Sequence, residues 1–326
     1  LRALWLEGGR ARLVELPRPQ PGPGQAVVRP VVVGLCATDL ELARGYQGFA
    51  GVPGHEVVGV VESSPERPEL EGRRVAVEIN FGCGACPACA AGDDRHCPGR
   101  RALGIRGAPG ALAQAFAAPL ANLLPLPPGL ADREAVFAEP LAAALQPARQ
   151  LHLSARTRLL VLGDGKLGLL CALGLRVWTP GLVLAGRHRK KLAIAAAQGV
   201  ETALLEPGLS GPEPAERLGR WEVVVEATGR PEGLEQALHL ARPRGTVVAK
   251  TTLARPAPLD VARLVVEEIT LLGSRCGELG LALDFLARRR LQVEPLVEAV
   301  YPLEEAPAAL EAAAAPGAGK VLVEVG

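Results

Sequence analysis

Apolar positions along the chain fall into two regimes, one continuous and one broken. Leu159-Leu160-Val161-Leu162 is an unbroken run, as expected of a strand buried on both faces of a parallel sheet. It stops at Gly163, and apolar residues resume at Leu167, Leu170, Cys171 and Leu175 with helical spacing. The alternation continues downstream. Leu182-Val183-Leu184-Ala185 predicts a second strand, residues 192–198 a helix closed by Gly199, and Val223-Val224-Val225 a third strand. Thr246-Val247-Val248-Ala249 and Thr270-Leu271-Leu272 predict two more, with helical patterns over 234–240 and 259–266. Strands alternating with helices imply an α/β fold with a doubly wound parallel sheet over about residues 150–275.

The chain before this region reads differently. Ala26-Val27-Val28 and Val31-Val32-Val33 predict two strands, residues 17–24 a proline–glycine turn, and 102–130 further strands between proline turns. That β-rich start implies a separate N-terminal domain. A helix opens at Asp132-Arg133-Glu134; further helices are predicted at 281–290 and 308–315, and Lys320-Val321-Leu322-Val323 predicts a closing strand.

Composition narrows the function classes. A length of 326 residues suggests roughly two domains, and 48% hydrophobic residues suffice for real cores. A net charge of +1 gives no reason to expect nucleic acid or an anionic membrane as partner. No apolar run approaches the ~20 residues of a membrane span and no signal-peptide pattern opens the chain, so a soluble, cytoplasmic protein is expected. Of seven cysteines, four lie within residues 83–97, which in such a chain argues for metal rather than disulfides.

Five groups of residues carry candidate chemistry. Gly163, Gly165 and Gly168 fit G-x-G-x-x-G: a tight turn, a close pyrophosphate approach and close helix–strand packing, with the N–H groups around Lys166 and Leu167 facing phosphates. Cys83, Cys86, Cys89 and Cys97 are spaced to converge on one tetrahedral zinc with no open position, a structural site, and Gly82, Gly84 and Pro87 supply its turns. Cys36 at a strand end is either a small buried hydrophobe or a functional thiol. His55-Glu56 at a strand entrance is either a hydrogen-bonded edge or a ligand pair, and Glu139 among Val136, Phe137, Leu141 and Leu145 is either paired or exposed.

Cys36-Ala37-Thr38-Asp39, Gly54-His55-Glu56, the four-cysteine lobe, Glu139-Pro140, the 163–168 turn, Ala227-Thr228-Gly229 and Gly273-Ser274-Arg275 occur in one order along the whole chain. In that order they resemble the zinc-containing medium-chain alcohol dehydrogenases, in particular the Glu-Pro branch of polyol, sugar and threonine dehydrogenases. The resemblance implies a GroES-like catalytic domain at 1–148 with the structural zinc lobe, a Rossmann domain at 149–276, and a C-terminal return at 277–326. It implies two zincs per chain. The catalytic one is held by Cys36, His55 and Glu139, with Glu56 at the position of an outer or alternating ligand. Such a metal stabilises an alkoxide while a hydride passes to the nicotinamide, and Thr38 matches the hydroxyl that relays the proton. Thr228 matches a cofactor-binding position.

Two departures matter. Leu40 and Glu41 follow the Thr-Asp pair where some relatives carry a histidine. The end of the second strand reads Ala185-Gly186-Arg187-His188, without the acid that binds an adenosine ribose. Gly186 removes repulsion and Arg187 is placed to hold a 2′-phosphate, so NADP is the expected cofactor, with NAD possible. The expected substrate is a neutral alcohol or carbonyl compound, shaped by the loops at 45–51 and 274–277 and by Arg106, and the resemblance implies a homodimer or homotetramer. A zinc-free quinone or enone reductase would need none of Cys36, His55, Glu139 or the cysteine lobe. A retired scaffold serving as a binding or regulatory protein would not need all three catalytic ligands.

Overall fold

The computed structural model describes residues 1–206, 208–209, 211–252 and 258–326, with the backbone alone described at Gln47. Two compact units make up the chain: Leu1–Glu139 with Leu279–Arg289 and Val293–Gly326, and Pro140–Glu278 with Arg290–Gln292.

In the first unit, strand Gln25–Leu35 is the central member of a seven-stranded sheet. The sheet runs Leu123–Pro125, Arg74–Val77, Glu56–Ser63, Gln25–Leu35, Lys320–Glu324, Val297–Pro302, and Phe116–Pro119 also pairs with Gln25–Leu35. Where the sequence predicts two strands there is one. Pro30 cannot donate to a ladder, and the strand absorbs it at a register shift, Pro30 facing Gly59 while Val32 faces Val58. The last strand, Lys320–Glu324, lies antiparallel to the end of Gln25–Leu35, pairing Val321 with Leu35. A small sheet of Asn80–Phe81, Arg101–Leu103 and Gly107–Ala108 flanks the cysteine-rich segment in the chain. The core gathers Leu4, Leu6, Val28, Val33, Leu35, Leu103 and Leu112 with Leu310 and Val323 from the C-terminal segment.

The second unit is a six-stranded parallel sheet. Its order is Glu201–Leu204, Val183–Gly186, Leu159–Leu162, Trp221–Glu226, Ala241–Ala249, Thr270–Gly273, which in chain order is 3-2-1-4-5-6, the doubly wound arrangement. Strand Glu201–Leu204 is not among those expected from the apolar pattern. It is an edge strand with no buried residue, so its sequence shows no continuous apolar run.

The units divide at Glu139/Pro140 rather than at 148/149. Helix Ala138–Gln150 carries Leu141 and Leu145 against Gly174, where a Cβ would meet Leu145 Cδ2 at 2.6 Å. Residues 290–292 join the second unit through reciprocal bonds between Gln198 and Gln292, at 3.0 and 2.8 Å. No helix among the described residues is long and apolar enough to cross a membrane.

Candidate active site and cofactor turn

Cys36 follows the strand Gln25–Leu35 and caps the helix Ala37–Ala43, and this double duty fixes its thiol. Its Sγ accepts the Thr38 N–H at 3.2 Å while Asp39 Oδ2 accepts the Cys36 N–H at 2.9 Å, a reciprocal capping box. Asp39 Oδ1 accepts the Gly54 N–H at 3.2 Å and lies 3.4 Å from Nδ1 of His55. One buried carboxylate thus ties the helix start to the segment entering strand Glu56–Ser63. Gly54 is required there: its φ is +96°, and a Cβ would meet Leu112 Cγ at 2.9 Å. The imidazole then presents Nε2 to Cys36, 3.1 Å from Sγ.

The ligand atoms of Cys36, Asp39 and His55 all lie within 4.8 Å of one another. Burial disfavours a charged His55, yet Cys36 and the Asp39 carboxylate outweigh it and hold the imidazole well above its usual range. Burial likewise pushes Asp39 up, and His55 more than reverses this, leaving it below its usual value. Nδ1 of His55 has no hydrogen bond of good geometry, since 3.4 Å to Asp39 is an ion-pair distance. Thr38 sits half-buried in the first turn of the same helix.

Glu139 does not join that close set of three. Burial pushes its carboxyl up to about 7; His55 and Lys320 oppose the shift and Glu56 and Glu78 add to it. It therefore shares the charge field of the Cys36–His55 pair. Glu56, expected as an outer or alternating ligand, is engaged by the C-terminal segment in this structure. Its carboxylate pairs with the Nζ of Lys320, both side chains being 2% exposed, and that ammonium stands 5.7 Å over the Phe137 ring. A buried carboxylate needs a partner, and the C-terminal strand supplies one.

The four cysteines of the lobe also converge, with all sulfurs within 4.8 Å of one another and Cys86 Sγ 3.6 Å from Cys89 Sγ. Gly82 is needed for this, because a Cβ there would meet Asp94 Oδ1 at 2.7 Å and Cys89 Sγ at 2.9 Å. The Ala85 N–H, the Cys97 side chain and Cys86 lower the Cys83 thiol to about 6, whereas burial and Asp94 raise Cys89 to about 12. Four thiolates at such distances require a cation to be charged together, and sulfur donors in this number suit zinc. Sulfur, imidazole nitrogen and a nearby carboxylate at Cys36, His55 and Glu139 are equally a zinc donor set. Both sites fit the metal.

In the second unit the glycine turn has the shape a dinucleotide needs. Gly163, at φ +114°, would drive a Cβ to 2.6 Å from Ala227 O, and a Cβ on Gly168 would stand 1.9 Å from Gly163 O. At Gly165 nothing lies within 4 Å of that position, so the backbone is open to a phosphate. Lys166 and Leu167 begin the helix Lys166–Leu175, both half-buried. Thr228 is engaged locally: its N–H and hydroxyl both donate to Glu226 Oε1 at 2.7 Å. Arg187 and Gly186 sit at the end of strand two as expected. The region is not free of acid, however. Asp164, inside the glycine turn, brings its carboxylate there and accepts the N–H groups of Arg187 and His188 at 2.7 and 2.6 Å.

Three functional candidates therefore escaped the sequence pattern. Asp39 had a signal, the acid three residues after Cys36 that completes a capping box. Lys320 had a weak one, a lysine opening an apolar strand. Asp164 had none, because its proximity to residue 186 is a product of the sheet.

A sulfur–imidazole pair beside an acid suits metal-assisted chemistry on an oxygen, and a glycine turn opening a 3-2-1-4-5-6 sheet suits a dinucleotide. One chain holding both falls in the class of zinc-type dehydrogenases. Comparison with known proteins gives the family. Residues 22–128 match the alcohol dehydrogenase GroES-like domain and residues 167–288 the zinc-binding dehydrogenase domain. A glucose 1-dehydrogenase of Methanocella arvoryzae is 34% identical over 257 residues, covering 72% of this chain and 71% of that protein. An L-threonine 3-dehydrogenase of Streptomyces avermitilis is 29% identical over 96% of this chain and 95% of its own length. A candidate zinc-binding dehydrogenase of Sinorhizobium meliloti 1021, solved bound to NADP, superposes with a TM-score of 0.88 at 28% identity, covering 99% of each chain. The chain belongs to the zinc-type medium-chain dehydrogenase family and is an NAD(P)-dependent alcohol oxidoreductase acting on small molecules.

Proposed function

We propose that the chain interconverts a neutral polyol, sugar or amino alcohol and its carbonyl form, with NADP preferred and NAD usable. The observation that carries this reading is the Cys36 Sγ–His55 Nε2 approach of 3.1 Å, locked by Asp39 on both sides. Cys36, His55 and Glu139 would hold one zinc, and Cys83, Cys86, Cys89 and Cys97 a second, structural one. When bound, the first zinc would supply a Lewis acid that eases ionisation of an alcohol, and a nicotinamide cofactor would supply the hydride acceptor.

The chain's own residues do the rest. Asp39 faces Nδ1 of His55 and so leaves Nε2 directed at the ligand position. The Thr38 hydroxyl, both donor and acceptor, would take up the substrate proton and release it. Lys320 neutralises Glu56, which keeps a further negative charge from weakening the site's hold on its anionic ligands. The first unit is the catalytic domain and the second the cofactor domain, in an assembly proposed to be a cytoplasmic homodimer or homotetramer.

The test is a panel of polyols, aldoses, amino alcohols and secondary alcohols, with NADP and NAD, on zinc-replete and on chelated protein. Chelator-sensitive reduction of cofactor by at least one member supports the reading. Turnover that survives complete removal of zinc would refute it.

A further inference from the structure

Strand Val183–Gly186 ends on a residue without a side chain, and the space where one would lie is taken. A Cβ at Gly186 would meet Asp164 Cβ at 2.4 Å and its Cγ and Oδ2 at 2.5 Å. Asp164 is 6% exposed. Its Oδ2 accepts the Arg187 and His188 N–H groups at 2.7 and 2.6 Å, and His188 Nδ1 stands 3.0 and 3.1 Å from Oδ1 and Oδ2. A carboxylate has only lone pairs to offer, so Nδ1 carries the proton and donates.

In a doubly wound sheet, the end of the second strand is where the adenosine ribose of a dinucleotide is read. A 2′-phosphate arriving there seeks N–H donors and cations. Here two backbone donors and one imidazole already serve an internal anion, and that anion repels a second one. Arg187, half-buried in the same turn, pulls the other way.

Given the reading of the second unit as an NAD(P) site, we infer that Asp164 is the specificity-determining residue at its adenosine end. Its carboxylate, delivered from the glycine turn, takes the place of the strand-two acid, offsets the attraction of Arg187 for a 2′-phosphate, and keeps NAD acceptable. Fixed by three donors of Arg187 and His188, it acts through charge and through the N–H groups it withholds.

The experiment is fluorescence titration of NADH and NADPH against the full-length protein, with no alcohol present. Wild-type protein should bind the two with dissociation constants within about tenfold of each other. Asp164→Asn keeps the shape and an oxygen acceptor but drops the charge. It should move the NADPH-to-NADH affinity ratio toward NADPH by about ten- to a hundred-fold, and Arg187→Ala should move it the other way. Asp164→Ser serves as a second variant, and melting curves verify folding of each. A folded Asp164 variant with an unchanged ratio, or with both affinities reduced equally, overturns the inference and reduces Asp164 to a structural brace. So does wild-type protein that favours NADPH by more than about a hundredfold. Binding of neither cofactor would remove the nucleotide reading as well, whereas failure of the alcohol panel alone leaves this result standing.

Discussion

His55 lies between the Cys36 thiol and the Asp39 carboxylate in a buried pocket, and each partner can be removed separately. Asp39→Asn can keep the acceptor for the Cys36 N–H but gives up the one for the Gly54 N–H and withdraws the charge that faces Nδ1. Zinc affinity at the catalytic site should fall about 10- to 100-fold, measured by competition with a chromophoric chelator, with turnover falling alongside. Unchanged affinity would mean Asp39 serves the helix start alone. Glu139 gives a pH prediction. Its pKa rises from 4.5 when unfolded to about 7 when folded, so the metal-free native state binds the proton more tightly. That contribution is full below about pH 4.5, declines as pH rises, and is gone above about 7. The half-buried position of the residue trims it to about 2 kcal/mol. Urea midpoints of zinc-stripped protein should therefore drop more between pH 5 and 8 for wild type than for Glu139→Gln. Parallel curves would contradict the raised pKa of Glu139.

At the scale of elements, the cysteine lobe is short loops and one four-residue helix, Pro87–Ala90, with little apolar burial to hold it. The metal is expected to do that work. Cys89→Ser should lower the melting temperature by about 10 °C or more, followed calorimetrically, while the zinc at Cys36 and His55 remains. A melting temperature equal to wild type would remove the structural zinc. The glycine turn is tighter still. Gly168→Ala would press a methyl onto Gly163 O, a contact of 1.9 Å that only a shift of helix Lys166–Leu175 relieves. Its expected cost is about 1–3 kcal/mol or more in denaturant unfolding, with cofactor affinity falling in step. Elements with a strong local signature were legible beforehand. Leu159–Leu162 and Trp221–Glu226 are core strands whose apolar runs announce them, while Glu201–Leu204, unburied at the sheet edge, is announced by nothing.

For the whole molecule, the expectation is two zincs per chain by elemental analysis of protein prepared with zinc. One should leave readily to a chelator with loss of turnover, and the other should leave only on unfolding, because four sulfur ligands close its shell. A single zinc that resists chelation would favour a scaffold without the catalytic metal. The C-terminal segment has a place in this balance. Strand Lys320–Glu324 completes the sheet beside Gln25–Leu35 and carries the ammonium that makes Glu56 tolerable in the interior. Residues 264 positions apart in the chain thus form one buried ion pair.

The sequence by itself determined the doubly wound sheet, the glycine turn, the cysteine lobe and the presence of Cys36, His55 and Glu139. Each of these is written in local pattern: apolar periodicity, glycine spacing, or ligand residues a few positions apart. Tertiary structure alone decided which groups meet. It assigned Glu56 to Lys320, set Asp39 between Cys36 and His55, and carried Asp164 to the end of a strand 22 residues away, at Gly186. The physical reason is that parallel pairing of Leu159–Leu162 with Val183–Gly186 aligns the ends of strands remote in sequence. A charge is placed by that alignment, and no spacing along the chain records it.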